Sequence, residues 1–187
     1  MAVNPWQPPY DHHAAAAPGA GEPQTTYGIT EEIEGDARLK NVVETAVGNW
    51  NTVLREVGAQ GDLIKRGTQS WPSEPDAAAI QLSLGEVTNP FGLGGGLTTP
   101  DCGGPDGNVC KETVTFDRET IRDLDEDSGV HLVAHELGHA LGLDHSKYPV
   151  ADDEVMSQEG TMGVAPPTKP TQEEARAVLA LYGGSAS

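Results

Sequence analysis

Apolar residues recur at spacings of three and four in three stretches of the chain, and this period predicts three amphipathic helices. The first helix is roughly 20 residues long and ends at Gly58. Its apolar stripe consists of Leu39, Val42, Val43, Ala46, Val47, Trp50, Val53, Leu54 and Val57. The second runs over 128–141, with Ser128 as N-cap and Gly142 as its stop. The third follows Pro170, where Thr171 and Glu174 have the spacing of a capping box.

Shorter apolar runs between the first two helices predict strands at 63–65, 79–84 and 113–116. Apolar and polar residues alternate over 79–84, which is typical of a half-buried strand. The glycine-rich stretch 91–99 is predicted to be an extended sheet edge. The first 24 residues are rich in Pro, Ala and Gly and show no period, so we expect a flexible tail. The total of 187 residues leaves one domain, over 25–187.

The net charge of the chain limits the classes of partner that it can bind. The chain has 29 acidic and 11 basic residues, a net charge of −18. Such a surface repels nucleic acid and anionic lipid, so we expect neither as a partner. Solvation of loops, a high-salt habitat and a preference for basic substrates all remain open as reasons for it. No stretch of 18 apolar residues predicts membrane insertion. The first ten residues lack the pattern of an export signal.

The two cysteines lie close together in a loop rich in Gly, Pro and Asp. Cys102 and Cys110 do not form a Cys-x-x-Cys pair, so neither a redox motif nor a thiolate metal site is indicated. A short disulfide that closes this loop fits best and implies an oxidising compartment, which favours a secreted protein whose export signal is absent from this chain. Two free thiols are the alternative.

Candidate chemistry is concentrated at the end of the second predicted helix. His135 and His139 are four residues apart, so they project from one helix face and can bind one ion. Gly142 can reverse the chain and return His145 as a third ligand. Three imidazoles and one open position are typical of catalytic zinc. Glu136 lies beside this group and is predicted to be the general base that acts on a zinc-activated water.

The run from His135 to His145 resembles the metzincin zinc metallopeptidase signature, and Ser146 after it resembles the matrixin branch. The glycine-rich stretch is similar to the strand along which substrates of that family lie, and the matching residues are Gly94, Gly95, Gly96 and Leu97. Metzincins also carry a methionine in a tight turn beneath the zinc. Met156 is the preferred match, and Met162 is the alternative.

The resemblance implies an α/β (α+β) fold in which a mixed, mostly parallel, twisted sheet packs under two helices. A small C-terminal subdomain would hold the last helix. It further implies a monomeric endopeptidase with one catalytic zinc, acting on extended polypeptides. The rival interpretations are a scaffold that binds without cleaving and a processing enzyme or toxin with a single target. Oxygen donors at Asp101, Asp106 and Asp117 leave calcium open beside plain solvation of these loops.

Overall fold

A computed structural model describes residues 25–67, 78–87, 95–102, 110–146, 154–157 and 165–182. Its elements, in chain order, are β1 (Thr25–Ile29), α1 (Glu31–Glu34), α2 (Ala37–Glu56), β2 (Ile64–Arg66), β3 (Ile80–Gly85), β4 (Gly96–Cys102), β5 (Cys110–Asp117), α3 (Arg118–Asp123), α4 (Glu126–Ala140) and α5 (Gln172–Leu181). The predicted tail over 1–24 lies outside the described residues.

The five strands form one sheet in the order β2-β1-β3-β5-β4. All neighbours are parallel except β4, which runs antiparallel to β5 and closes one edge. This is the mixed, mostly parallel α/β sheet that the sequence predicts. The predicted strands at 63–65, 79–84 and 113–116 are confirmed as β2, β3 and β5. The glycine-rich edge is confirmed where it is described, as β4.

Helix α2 is the predicted 20-residue helix. The Asp36 side chain accepts hydrogen bonds from the N–H groups of Arg38 and Leu39 and so caps its first turn. Gly58 follows its last turn with a φ of 118°, a conformation that glycine adopts without steric cost. The apolar stripe is buried throughout and packs against α4. Trp50 is a core residue, as predicted, and its Nε1 donates to the carbonyl of Ala134, 2.9 Å away.

The N-cap predicted for the second helix is wrong. Helix α4 begins at Glu126, and its cap is Asp125, whose carboxylate accepts from the N–H of Ser128 at 2.8 Å. Ser128 therefore lies in the first turn. Aspartate and serine cap about equally well, so the residue type alone did not distinguish these two positions.

Three elements were not predicted: β1, α1 and α3. Four of the five residues of β1 are buried, and the strand lies inside the sheet, between β2 and β3. A strand buried in this way lacks the alternation of polar and apolar residues that marks a strand in sequence. Helices α1 and α3 have four and six residues, too few for a helical period to show.

The last helix is confirmed. Thr171 caps α5, and the full capping box with Glu174 is present. The predicted apolar face of Ala175, Val178, Leu179 and Tyr182 is buried. This helix packs on α2, and the segment that leads to it is tied there by Asn49, whose Nδ2 donates to the carbonyl of Thr168 at 2.7 Å. It is the single helix of the C-terminal part in the described chain.

Candidate metal centre

Helix α4 and the turn after it bring the three predicted histidines together. Gly142 has a φ of 97°, and its N–H donates to the carbonyl of His139. The N–H of Leu143 reaches back to the carbonyl of Gly138, which closes the helix end. The chain reverses through this turn, and His145 comes to face the helix. A side chain at position 142 would be strained at this φ, so the glycine is required for the third histidine to reach the other two.

The histidine rings point at one another through their Nε2 atoms. His145 Nε2 lies 3.2 Å from the Nε2 of His135 and 3.2 Å from the Nε2 of His139. Ligand atoms of all three lie within 4.8 Å of one another. In the described part of the chain, no other three His, Cys, Asp or Glu side chains come together in this way.

Hydrogen bonds orient two of these rings. His135 Nδ1 lies 2.7 Å from the carbonyl oxygen of Val155, and His139 Nδ1 lies 2.8 Å from that of Leu143. A carbonyl oxygen only accepts, so both Nδ1 atoms donate, and the Nε2 lone pairs of the neutral rings face the centre. Burial, with the neighbouring His139, lowers the pKa of His135 to about 3, and burial lowers the pKa of His139 and His145. The rings are thus kept neutral, as metal ligands must be.

This donor set fits zinc. Two nitrogens bound to a tetrahedral zinc at 2.0–2.1 Å are about 3.3 Å apart, close to the 3.2 Å separations observed. Hydrogen bonding does not explain the cluster, because the proton of each oriented ring is on Nδ1. Lone pairs that converge at this distance repel unless a cation lies among them. Three imidazoles leave one tetrahedral position open, which is the arrangement of catalytic rather than structural zinc.

Glu136 directly follows the first of these histidines on α4 and is not a member of the cluster. Its side chain is 6% exposed, and burial raises its pKa to about 7, against the opposing effect of a hydrogen bond from Thr98. The Thr98 hydroxyl lies 2.6 Å from Glu136 Oε2. A carboxyl group with a pKa near neutrality can both accept and release a proton at physiological pH.

A short turn supports the cluster from the C-terminal side. Met156 is fully buried, and its carbonyl accepts from the N–H of Ser146, directly after the third histidine. Its N–H donates to Glu174 Oε1 at 2.7 Å. A Cβ atom at Gly138 would lie 2.2 Å from Met156 Sδ, so the methionine packs directly on the helix between the two histidines. The alternative, Met162, lies outside the described residues.

The edge strand β4 runs alongside Glu136. Leu97 is 45% exposed, and among the described residues no other large hydrophobic side chain is exposed. Gly96 lies against Glu136, where a Cβ atom would come within 2.6 Å of Glu136 Cγ and Oε1. Gly95 leaves equally little room beside Thr120. Gly94, the first residue of the predicted substrate strand, lies outside the described residues.

Calcium donors are not assembled among the described side chains. The Asp117 carboxylate caps α3, where it accepts from the N–H and the hydroxyl of Thr120 at 3.0 and 2.7 Å. These bonds lower the pKa of Asp117. The side chain of Asp101 and all of Asp106 lie outside the description. The capping role explains Asp117 without a metal.

Sequence reasoning missed three contributors to the site. Thr98 gave no signal, because nothing in its surroundings in sequence points to Glu136, 38 residues away. Glu174 was identified only as part of a capping box, although its second oxygen binds the Met156 turn. Gly138 lies inside the histidine run, and its contact with Met156 emerges only from packing.

Comparison with known proteins places this site in context. Residues 22–179 match the family described as dual-action HEIGH metallo-peptidase; this chain has Leu137 where that motif has isoleucine. Over 82 residues the chain is 38% identical to matrix metalloproteinase-9 of Canis lupus familiaris, a match that covers 42% of this chain and 11% of that protein. The chain thus spans about a tenth of this relative's length.

The fold is also similar to that of myroilysin. The TM-score is 0.51, with 11% sequence identity, and the match covers 92% of this chain and 84% of the myroilysin chain. At that identity the likeness shows the fold alone. It agrees with the mixed sheet and the few helices described above.

Proposed function

The chain belongs to the dual-action HEIGH metallo-peptidase family, and from this we propose that it is an endopeptidase that cleaves extended polypeptides with Glu136 as its general base. The family description is that of a metal-dependent peptidase, which implies a bound zinc and polypeptide substrates. The observation that carries the finer proposal is a buried carboxyl group on the residue directly after His135, in a helix where three imidazoles converge.

In this proposal His135, His139 and His145 hold the zinc. When bound there, zinc supplies Lewis acidity for a peptide carbonyl and lowers the pKa of water. Glu136 takes a proton from the attacking water and delivers it to the leaving amine. The presence of this candidate base together with all three candidate ligands favours cleavage over a scaffold that only binds.

The substrate is proposed to lie along β4, next to Gly94, Gly95, Gly96 and Leu97. An edge strand offers unpaired backbone groups to an extended peptide, which adds to the sheet as a further strand. The turn at Met156 is proposed as the support beneath the zinc. We take residues 25–187 as the catalytic domain, acting as a monomer outside the cell. No helix in the described part of the chain is long and apolar enough to cross a membrane.

Glu136→Gln tests the proposal most directly. Glutamine keeps the size of the side chain but accepts no proton, so cleavage of a peptide library should fall roughly 10²–10⁴-fold. Zinc content, measured by metal analysis, should stay at one per chain, because Glu136 is not assigned as a ligand. His145→Ala is the matched variant that should lose zinc.

Near-normal cleavage by zinc-loaded Glu136→Gln would overturn the proposed role. Full zinc in His145→Ala would overturn the ligand set. A native protein that binds zinc but cleaves nothing in the library would favour the binding scaffold, and cleavage at one sequence alone would favour the single-target enzyme.

A further inference from the structure

Thr98 contacts Glu136 twice. Its hydroxyl lies 2.6 Å from Oε2 of the Glu136 side chain and 3.1 Å from the main-chain carbonyl oxygen of the same residue. Thr98 is half-buried, while its neighbours Leu97 and Thr99 are exposed. The hydroxyl therefore points from the edge strand towards α4 rather than to solvent.

Gly96 confines the same carboxyl group from a second position. Residues two apart on a strand face the same way, so Gly96 and Thr98 both face α4. A Cβ atom at Gly96 would lie 2.6 Å from Glu136 Oε1. One carboxylate oxygen thus packs on the backbone at Gly96, while the other is bound by the Thr98 hydroxyl. A larger residue at 96 or an apolar one at 98 would remove one side of this clamp.

We propose that Thr98 is a positioning residue that holds the Glu136 carboxyl group in its working orientation. This inference rests on the proposed role of Glu136 as general base. Thr98 exchanges no proton with the substrate; it acts only through Glu136.

Two acceptors lie within reach of this one hydroxyl, Oε2 at 2.6 Å and the main-chain carbonyl oxygen at 3.1 Å. A threonine hydroxyl has one proton to donate and lone pairs that accept. While Glu136 is ionised, the hydroxyl donates to Oε2, and a hydrogen bond to a charged group is the stronger kind. If Oε2 becomes protonated, it can donate to the hydroxyl, which then turns its own proton to the carbonyl oxygen 3.1 Å away. If Oε1 takes the proton instead, the bond to Oε2 persists.

Burial makes this bond important. A buried carboxylate without a partner is costly, and it would rotate towards any donor or towards water. Loss of the hydroxyl leaves the carboxyl group without this partner during proton transfer, the step whose rate depends on the orientation of the carboxyl group.

Thr98→Val removes the hydroxyl but keeps the shape and the strand preference of the residue. We expect kcat to fall about 10- to 100-fold, in line with the loss of a hydrogen bond to a charged group. KM should change less than about threefold, because the backbone that faces substrate is unchanged, and zinc content should stay at one per chain. Thr98→Ser, which restores the hydroxyl, should recover most of kcat. Thr113→Val on β5 is the matched control for the same chemical change, and it should cleave like the native protein.

A second readout does not depend on activity. Crystal structures of the zinc-loaded native protein and of Thr98→Val should show the Glu136 carboxyl group displaced or in several conformers in the variant alone. Should Thr98→Val not fold, Thr98→Ala serves in its place. Native kcat in Thr98→Val, or a fall that Thr98→Ser does not reverse, would overturn the inference.

A double variant separates this failure from failure of the proposed function. In a Glu136→Gln background, Thr98→Val should cause no further loss of cleavage, because Thr98 acts only through the carboxyl group. An active Glu136→Gln protein sinks the proposed function. An inactive Glu136→Gln protein together with a fully active Thr98→Val protein sinks only the role of Thr98.

Discussion

At the scale of single residues, Gly138 shows how tightly the histidine helix is packed. It lies one position before His139, and a Cβ atom there would be 2.2 Å from Met156 Sδ and 3.3 Å from Trp50 Cζ2. Both neighbours are fully buried, so neither can move into solvent. A glycine inside a helix normally lowers helix stability relative to alanine. At position 138 glycine is needed because the Met156 side chain occupies the space that a Cβ atom would fill.

We therefore predict that Gly138→Ala lowers the free energy of unfolding by about 1–3 kcal/mol, the usual cost of overpacking a core. Gly129→Ala, on the same helix, is the control. Its Cβ atom would lie 3.5 Å from Val42, an ordinary contact, so helix preference should leave that variant unchanged or more stable. Urea unfolding of both variants measures the difference. Equal stability of the two would contradict the packing argument.

At the scale of elements, Glu174 joins the start of α5 to the turn below the histidines. Its side chain is fully buried. Oε2 accepts from the N–H and the hydroxyl of Thr171, at 2.6 and 3.0 Å, while Oε1 accepts from the N–H of Met156. Burial raises the pKa of Glu174, and these three donors act against that rise. One carboxylate therefore caps a helix and fixes a loop.

Glu174→Gln should destabilise the protein by about 1–3 kcal/mol, because an amide NH2 group replaces one acceptor and faces a donor. The carbonyl of Val155, in the same turn as Met156, accepts the hydrogen bond from His135 Nδ1. A loosened turn would orient His135 less well, so zinc should dissociate faster from this variant. Glu173→Gln, at the exposed neighbouring position, is the control. Chelator competition and urea unfolding test both effects, and native zinc release in Glu174→Gln would argue against the coupling.

The β4–β5 ladder bears on the cysteines. Cys102 and Cys110 are paired in its register, at the end where the chain turns from one strand to the other. Opposed residues of an antiparallel pair have Cα atoms about 4.5–5.5 Å apart, within the range of disulfides. The disulfide stays a prediction. The protein should be alkylated before and after reduction and its intact mass measured. We expect two cysteines to be alkylated only after reduction. Alkylation of both without reduction would refute the disulfide.

At the scale of the whole molecule, the sheet core contains an acidic residue. Glu112 is 3% exposed and lies on the face of β5 that also buries Val114 and Phe116. Burial raises its pKa from 4.5 to about 7. Its charge acts on Tyr182 at the end of α5, whose own pKa is raised first by burial and also by Glu112. The folded protein therefore binds a proton here that the unfolded chain releases at lower pH.

This predicts a stability that depends on pH. The contribution of Glu112 is fully present below pH 4.5 and is lost as pH rises towards about 7, because the folded state binds more protons in that window. The free energy of unfolding of Glu112→Gln, relative to that of the native protein, should rise by on the order of 1–3 kcal/mol between pH 5 and pH 8. Urea unfolding of both proteins across that range tests it. A constant difference between the two curves would contradict it.

Local signals in the sequence determined much of this protein. The long helix α2, the capping box of α5 and the turn at Gly142 depend on residues within a few positions of one another, and all three are confirmed. The histidine cluster belongs to the same class, because two of its members are one helical turn apart and the third follows a glycine that reverses the chain. The mostly parallel sheet followed from the family resemblance rather than from strand patterns alone.

Tertiary structure alone decided the contacts between residues that are distant in sequence. The hydroxyl of Thr98 reaches a carboxylate 38 positions away, and Glu174 reaches Met156 across 18 positions. Likewise β1 showed no pattern, because four of its five residues are buried and polar and apolar positions do not alternate along it. A periodic pattern records only which face of an element is buried. Which polar group contacts Glu136 depends on how the edge strand and α4 pack together. No spacing along the chain encodes the distance between those two elements.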